Sequence, residues 1–171
     1  MAQEKQNENQ EQEQEKEEEF DLELNEYLIK EQEVILQTHN KINSDYSGKI
    51  TKMEKGHVEL TLETTADMLA DEMGLIHGGF IFGAADYAAM AAVNEKNVVL
   101  VASDSQFLSP VKLGDHVDFV ATVRHKEGRK RNVDVIGNVL DIKVFEGVFK
   151  TVITERHVLK LKLLSDEEEN K

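Results

Sequence analysis

Asp71-Glu72-Met73-Gly74-Leu75-Ile76-His77-Gly78-Gly79-Phe80-Ile81-Phe82-Gly83-Ala84-Ala85-Asp86 decides how the rest of the chain is read. A His-Gly-Gly turn opens a run of small and apolar residues that predicts a helix over 78–93. Nine positions after His77 that helix carries one carboxylate, Asp86, among Ala84, Ala85, Ala88, Ala89, Ala91 and Ala92. A mid-helix Asp in such surroundings costs helix propensity and desolvation unless something uses or pairs it. Gly78 and Gly79 leave the first N–H groups of the helix bare, so a carbonyl oxygen can approach closely. Donors for a developing oxyanion, with a carboxylate two turns further on, are the parts that thioester cleavage requires.

Outward from this stretch the pattern is mostly strand. Lys49–Met53 and His57–Glu63 flank Glu54-Lys55-Gly56, a hairpin signature, and Thr64–Ile76 reads as an irregular loop. Four long strands are predicted at Val98–Leu108, His116–Lys126, Asn132–Asp141 and Val144–Leu159. Gly114-Asp115, Glu127-Gly128 and Phe145-Glu146-Gly147 supply turns or bulges between or within them. One helix early in an otherwise antiparallel set predicts an α+β domain.

Several of these features occur in a specific order. His77-Gly78-Gly79 is followed by an acid at the ninth position. Ser105-Gln106-Phe107-Leu108-Ser109-Pro110 then leads to Gly114-Asp115, and Gly128-Arg129 marks a turn between long strands. Over about residues 48–158 the chain resembles the hotdog-fold acyl-CoA thioesterases of the phenylacetate-type branch. The resemblance implies an antiparallel sheet wrapped around one central helix. It also implies a homodimer or dimer of dimers, with an acyl-CoA lying between two subunits. The thioester would sit at Gly78 and Gly79, with His77 shaping the carbonyl site. Asp86, from the facing subunit, would attack directly or activate water. No cofactor is implied beyond the coenzyme A moiety of the substrate itself.

Two positions depart from the family pattern. Asp71, six residues before His77, stands where many relatives carry Asn; an amide can donate a hydrogen bond and an ionised carboxylate cannot. Should Asp71 approach Asp86, one of the two pKa values would rise. Near Val99–Val101, where some relatives place a Ser or Thr to hold water, this chain has its hydroxyls farther on, at Ser103 and Ser105. Residues 48–155 also resemble the effector domain of bacterial fatty-acid-synthesis repressors, which bind an acyl-CoA without cleaving it. The alternatives are therefore an acyl-CoA thioesterase and a non-catalytic acyl-CoA sensor. A hotdog dehydratase would need a His-bearing long loop and an acid-plus-His pair that this sequence does not supply.

Each candidate also has a plainer reading. The plainer reading of Asp86 is a carboxylate that caps or salt-bridges across a dimer interface, and that of the two glycines is close helix–sheet packing. His77 reads equally as a hydrogen-bonded loop residue. Arg124, Lys126, Arg129, Lys130 and Arg131 flank one turn, either as a solvated loop or as a site for coenzyme A phosphates. The other five histidines show no paired spacing of the kind that holds zinc, so no metal is assigned.

The net charge of −14 belongs to the ends of the chain. Residues 1–33 carry −10 and residues 165–171 carry −3, which leaves −1 for everything between. No excess of Lys and Arg is available for nucleic acid. Residues 1–19, mostly Glu and Gln, are expected to be a disordered acidic tail, solubilising or partner-binding. Leu24, Tyr27, Leu28, Val34, Ile35 and Ile42 predict an amphipathic helix over 20–43, ended by Ser44-Asp45-Tyr46-Ser47-Gly48. The hotdog domain is placed at 44–160 and an acidic C-terminal tail at 161–171. With 171 residues there is room for one such domain. No Cys is present, no basic-then-apolar leader opens the sequence, and the longest apolar run is interrupted by Asp86. A cytoplasmic location without membrane insertion is expected.

Overall fold

The alanine-rich run forms α2 (Gly78–Val93), preceded by a single helical turn, α1 (Ser44–Ser47). From Ala84 to Ala92 every residue of α2 except Asp86 is buried. These residues belong to a computed structural model that describes residues 34–160. The expected tails at 1–19 and 161–171, and the expected helix before residue 34, lie outside the described residues.

Six strands form one antiparallel sheet: β1 (Lys49–Glu54), β2 (His57–Glu63), β3 (Val98–Phe107), β4 (His116–Glu127), β5 (Lys130–Val139) and β6 (Ile142–Ile153). Their spatial order is β1-β2-β4-β5-β6-β3. The alternation along β2 and β4 turns Val58, Leu60, Leu62, Val117, Phe119 and Ala121 to one face, and all six are buried. That face packs on α2, so the fold is the hotdog arrangement of one central helix on an antiparallel sheet. Gly56 and Gly128 adopt positive φ in tight hairpin turns, where a side chain would strain the backbone.

Three local expectations are corrected. The last strand ends at Ile153 and not at Leu159, because Thr154 turns the chain: its N–H donates to Asn97 O and its hydroxyl to Arg156 O. Phe145-Glu146-Gly147 is not a turn; it lies inside β6, paired with β5 and β3, and Phe145 borders a bulge at Val144. The β5–β6 reversal sits instead at Leu140-Asp141, and the register slips at Gly137, where a Cβ would lie 2.7 Å from the Phe119 ring.

Residues 35–43 are not helical. Their backbone groups bond to Asn94, the left-handed cap of α2, whose Nδ2 donates to Ile35 O (2.9 Å) and whose Oδ1 accepts from Gln37 N–H (2.7 Å). The His39 ring then approaches Tyr87, and the Tyr46 ring approaches Phe80. One flank of α2 is thereby covered by an irregular strap.

Candidate functional site

The start of α2 is built from His77. Its N–H donates to Met68 O, and its Nδ1 accepts the N–H of Gly79 at 2.9 Å, capping the helix. The neutral ring therefore carries its proton on Nε2. A Cβ at Gly79 would lie 2.7 Å from Nδ1, so the cap requires glycine there. The Gly79 donor is occupied, whereas the Gly78 N–H has no partner among the described residues. A Cβ at Gly78 would meet the Phe107 ring at 3.2 Å, so the backbone here runs close under an aromatic side chain.

Asp86 lies on the same side of α2 as Gly79 and Gly83, at helical steps of four and three. The strap meets α2 at Tyr87, through His39, and α1 meets it at Phe80, through Tyr46. At Gly83 a Cβ would meet nothing within 4 Å, so the space beside Asp86 is open. Asp86 Oδ1 is itself buried with no hydrogen-bond partner among the described residues. Burial pushes its carboxyl up to about 6, and no neighbouring charge contributes. Such a group is an unpaired base at neutral pH.

Asp71 is drawn into the preceding loop. It is exposed, and its Oδ1 accepts the N–H groups of Met73 (2.9 Å) and Leu75 (3.1 Å) around Gly74, whose φ is +90°. These are acceptor bonds, which a carboxylate makes as well as an amide oxygen does. Asp71 does not enter the electrostatics of Asp86.

Arg129, Lys130 and Arg131 stand at the β4–β5 turn. Arg129 pairs with Glu155 at 3.1 Å, and Arg131 donates to the carbonyls of Gly128 and Lys130. Lys130 registers with Val152, which registers with Val99, so the turn sits at the β3 end where that strand begins. Gly78 sits at the opposite end, beside Phe107, which registers with Phe145. Seven residues of β6 separate Phe145 from Val152, about 24 Å at strand rise. The chain does not bring its own basic turn to its own helix start.

Ser105 lies within β3, beyond Val99–Val101. Its Oγ is buried without a partner among the described residues, directed at the bare Cα of Gly147, where a Cβ would come within 2.7 Å. No group of His, Asp or Glu among the described residues is placed to hold a metal ion, and no helix among them is long and apolar enough to cross a membrane.

Comparison with known proteins places this geometry in context. Residues 73–137 match the family model described as the thioesterase superfamily. A methylthioribose-1-phosphate isomerase of Aquifex aeolicus is 49% identical over 117 residues, 68% of this chain but 26% of that protein. The transcription factor FapR of a Thermoanaerobacter species is 28% identical over 114 residues, 66% of this chain and 57% of that protein. The chain thus spans about a quarter to somewhat over half of these relatives. Among solved structures, protein PH1136 of Pyrococcus horikoshii superposes with a TM-score of 0.73 at 42% identity, covering 74% of this chain and 97% of that one. The PaaI protein from the phenylacetic acid degradation operon of E. coli does so at 0.58 and 29%, covering 62% and 78%. Protein smu.793 of Streptococcus mutans, solved bound to acetyl-CoA, does so at 0.62 and 26%, covering 69% and 97%.

Proposed function

Because this chain belongs to the thioesterase superfamily of hotdog-fold proteins, we propose that it binds an acyl-coenzyme A thioester between two subunits and hydrolyses it. The observation that carries the reading is Asp86: a half-buried carboxylate whose Oδ1 is buried without a partner among the described residues, raised to about 6, beside open space on the helix that presents the Gly78 N–H. The acetyl-CoA bound to the 26% identical smu.793 supports coenzyme A as the carrier.

Helix spacing supports a site shared between two chains. Gly78 and Asp86 are eight residues apart on α2, about 12 Å along its axis. A carbonyl oxygen on the Gly78 N–H and a nucleophile at its carbon must both lie within about 3–3.5 Å of the reacting atoms. On this reading the two groups at one thioester come from two chains. β3 is an edge strand with Val101 59% exposed, and pairing it with a second β3 about a two-fold axis makes the two strands antiparallel. The Phe107 end of one subunit then adjoins the Val98 end of its partner. That brings a partner's basic turn towards the Gly78 end, where the nucleotide phosphates would meet Arg129 and Lys130.

In the step that follows, the Asp86 carboxylate takes a proton from water and the resulting hydroxide adds to the thioester carbon. The Gly78 N–H stabilises the oxyanion. Collapse breaks the C–S bond, and the departing thiolate recovers the proton from Asp86. The products are a carboxylic acid and free coenzyme A.

A second reading has its own support. Gly79 N–H is occupied by His77, which leaves the Gly78 N–H as the free donor at the helix start, and the chain is similar to the transcription factor FapR. On that reading the protein holds an acyl-CoA as a signal and releases none. Coenzyme A release from a panel of acyl-CoAs, beside a binding titration, tests the proposal. Turnover that falls by roughly 10²–10⁴-fold in Asp86→Asn, with binding retained, is expected of the enzyme. Binding without release above the uncatalysed rate would overturn hydrolysis in favour of the sensor.

A further inference from the structure

A cavity of about 310 Å³ opens beside Gly78, lined chiefly by Leu75, Ile81, Phe107, Pro110, Val111 and Val144. No charged side chain lines it, and Ser109 contributes the lone side-chain hydroxyl. Beyond the Gly78 N–H, which the thioester oxygen would take, two of the nearby backbone donors are engaged: Ile76 N–H donates to Val111 O at 2.9 Å, and Leu108 N–H to Val144 O at 2.8 Å. The cavity therefore offers an incoming group apolar contact and almost no hydrogen bonding.

Resting on the thioester reading above, we infer that this cavity receives the acyl substituent and selects an uncharged acyl group of moderate size. A thioester held at Gly78 has two substituents to place. The pantetheine arm carries two amides, and burying an amide without partners is costly. It must run outward, along the surface, which leaves the cavity to the acyl group. A carboxylate at the far end of that group would be buried with no cation to meet it, so dicarboxylic acyl thioesters are rejected. The volume lies at the lower end of the range for small-molecule pockets, about 300–1,000 Å³, which excludes a long fatty chain.

The test is a binding series on the intact protein with coenzyme A, acetyl-, butyryl-, hexanoyl- and adipyl-CoA. Kd should fall about fourfold per methylene from acetyl to hexanoyl, the equivalent of about 0.8 kcal/mol per buried CH₂. Adipyl-CoA, of the same length as hexanoyl-CoA, should bind at least about 100-fold more weakly than it. Leu75→Trp, at the half-exposed edge of the cavity, should weaken hexanoyl-CoA by about tenfold or more and leave acetyl-CoA nearly unchanged. Should that variant fail to fold, the wild-type series still decides. Tight binding that is indifferent to chain length or to a terminal carboxylate would overturn the pocket assignment and leave the thioester reading standing. Equal weakening of every ligand by Leu75→Trp would do the same. Failure of every acyl-CoA to bind would remove both.

Discussion

His77 Nδ1 accepts the N–H of Gly79 at 2.9 Å, so the Gly79 N–H is closed to a ligand and the Gly78 N–H is left as the donor at the helix start. This gives His77 a capping role that can be separated from chemistry. His77→Ala should cost about 1 kcal/mol of stability, and His77→Asn, whose side-chain oxygen also caps, should restore it. Thermal unfolding of the three proteins checks the order. If turnover recovers in step with stability in the Asn variant, the ring acts only through the cap. If stability recovers and turnover does not, the Nε2–H takes part in the site.

Asp86 makes the folded protein sensitive to pH in a direction opposite to that of most carboxylates. Its pKa rises from 3.8 to about 6 on folding, so the folded state holds the proton more tightly and stability falls as pH rises through that window. The cost is absent below about pH 4 and complete above about pH 6, on the order of 1–3 kcal/mol. Asp86→Asn should therefore be more stable than wild type near pH 8, with the advantage vanishing towards pH 4. Denaturant unfolding across this range would show it. An unchanged or lowered stability at pH 8 would mean that the carboxylate has found a partner in the assembled protein. Turnover should rise with pH through the same window, as the base loses its proton.

Much of the fold could be read from the chain because it rests on local signals. The bounds of α2, the β1–β2 hairpin and the turns at Gly114 and Gly128 follow from apolar runs broken by glycine. The β5–β6 reversal was misplaced because it is made by Leu140 at φ +53°, a residue with no turn preference, while Gly147 looked like a turn and is a strand residue making room for Ser105. The strap at 35–43 carried helix-like spacing, and its true partner, Asn94, lies more than fifty residues away. At the candidate site the carboxylate was visible as an anomaly of composition. Gly83 was not, since a glycine in an Ala-rich helix resembles another small residue until the space around it is seen. The occupied state of Gly79 and the loop bonds of Asp71 depend on rotamers and turn geometry, which spacing does not encode.

The basic turn should act on the nucleotide end of the ligand. Replacing Arg129, Lys130 and Arg131 by Ala should weaken acyl-CoA binding by about 10–100-fold, at roughly 0.5–1 kcal/mol for each exposed pair. Acyl-pantetheine, which lacks the nucleotide phosphates, should lose little. The difference should shrink as salt is raised. Because Arg131 also braces the turn through Gly128 O and Lys130 O, the Arg129→Ala, Lys130→Ala double variant serves as a control for folding. Equal losses for both ligands would place the nucleotide elsewhere.

The claim that one thioester is held by Gly78 of one subunit and attacked with Asp86 of the other is tested most directly by mixing two inactive variants. Gly78→Pro removes the donor at the first helical position, where proline fits the backbone and the exposed Phe107 ring can yield. Asp86→Asn removes the base. Each alone should be nearly inactive in coenzyme A release. After equimolar mixing and subunit exchange, half of the dimers are mixed. Each mixed dimer has one site with both groups intact, so activity should return to about a quarter of wild type. A mixture that exchanges subunits yet remains as inactive as its parents would contradict the shared site.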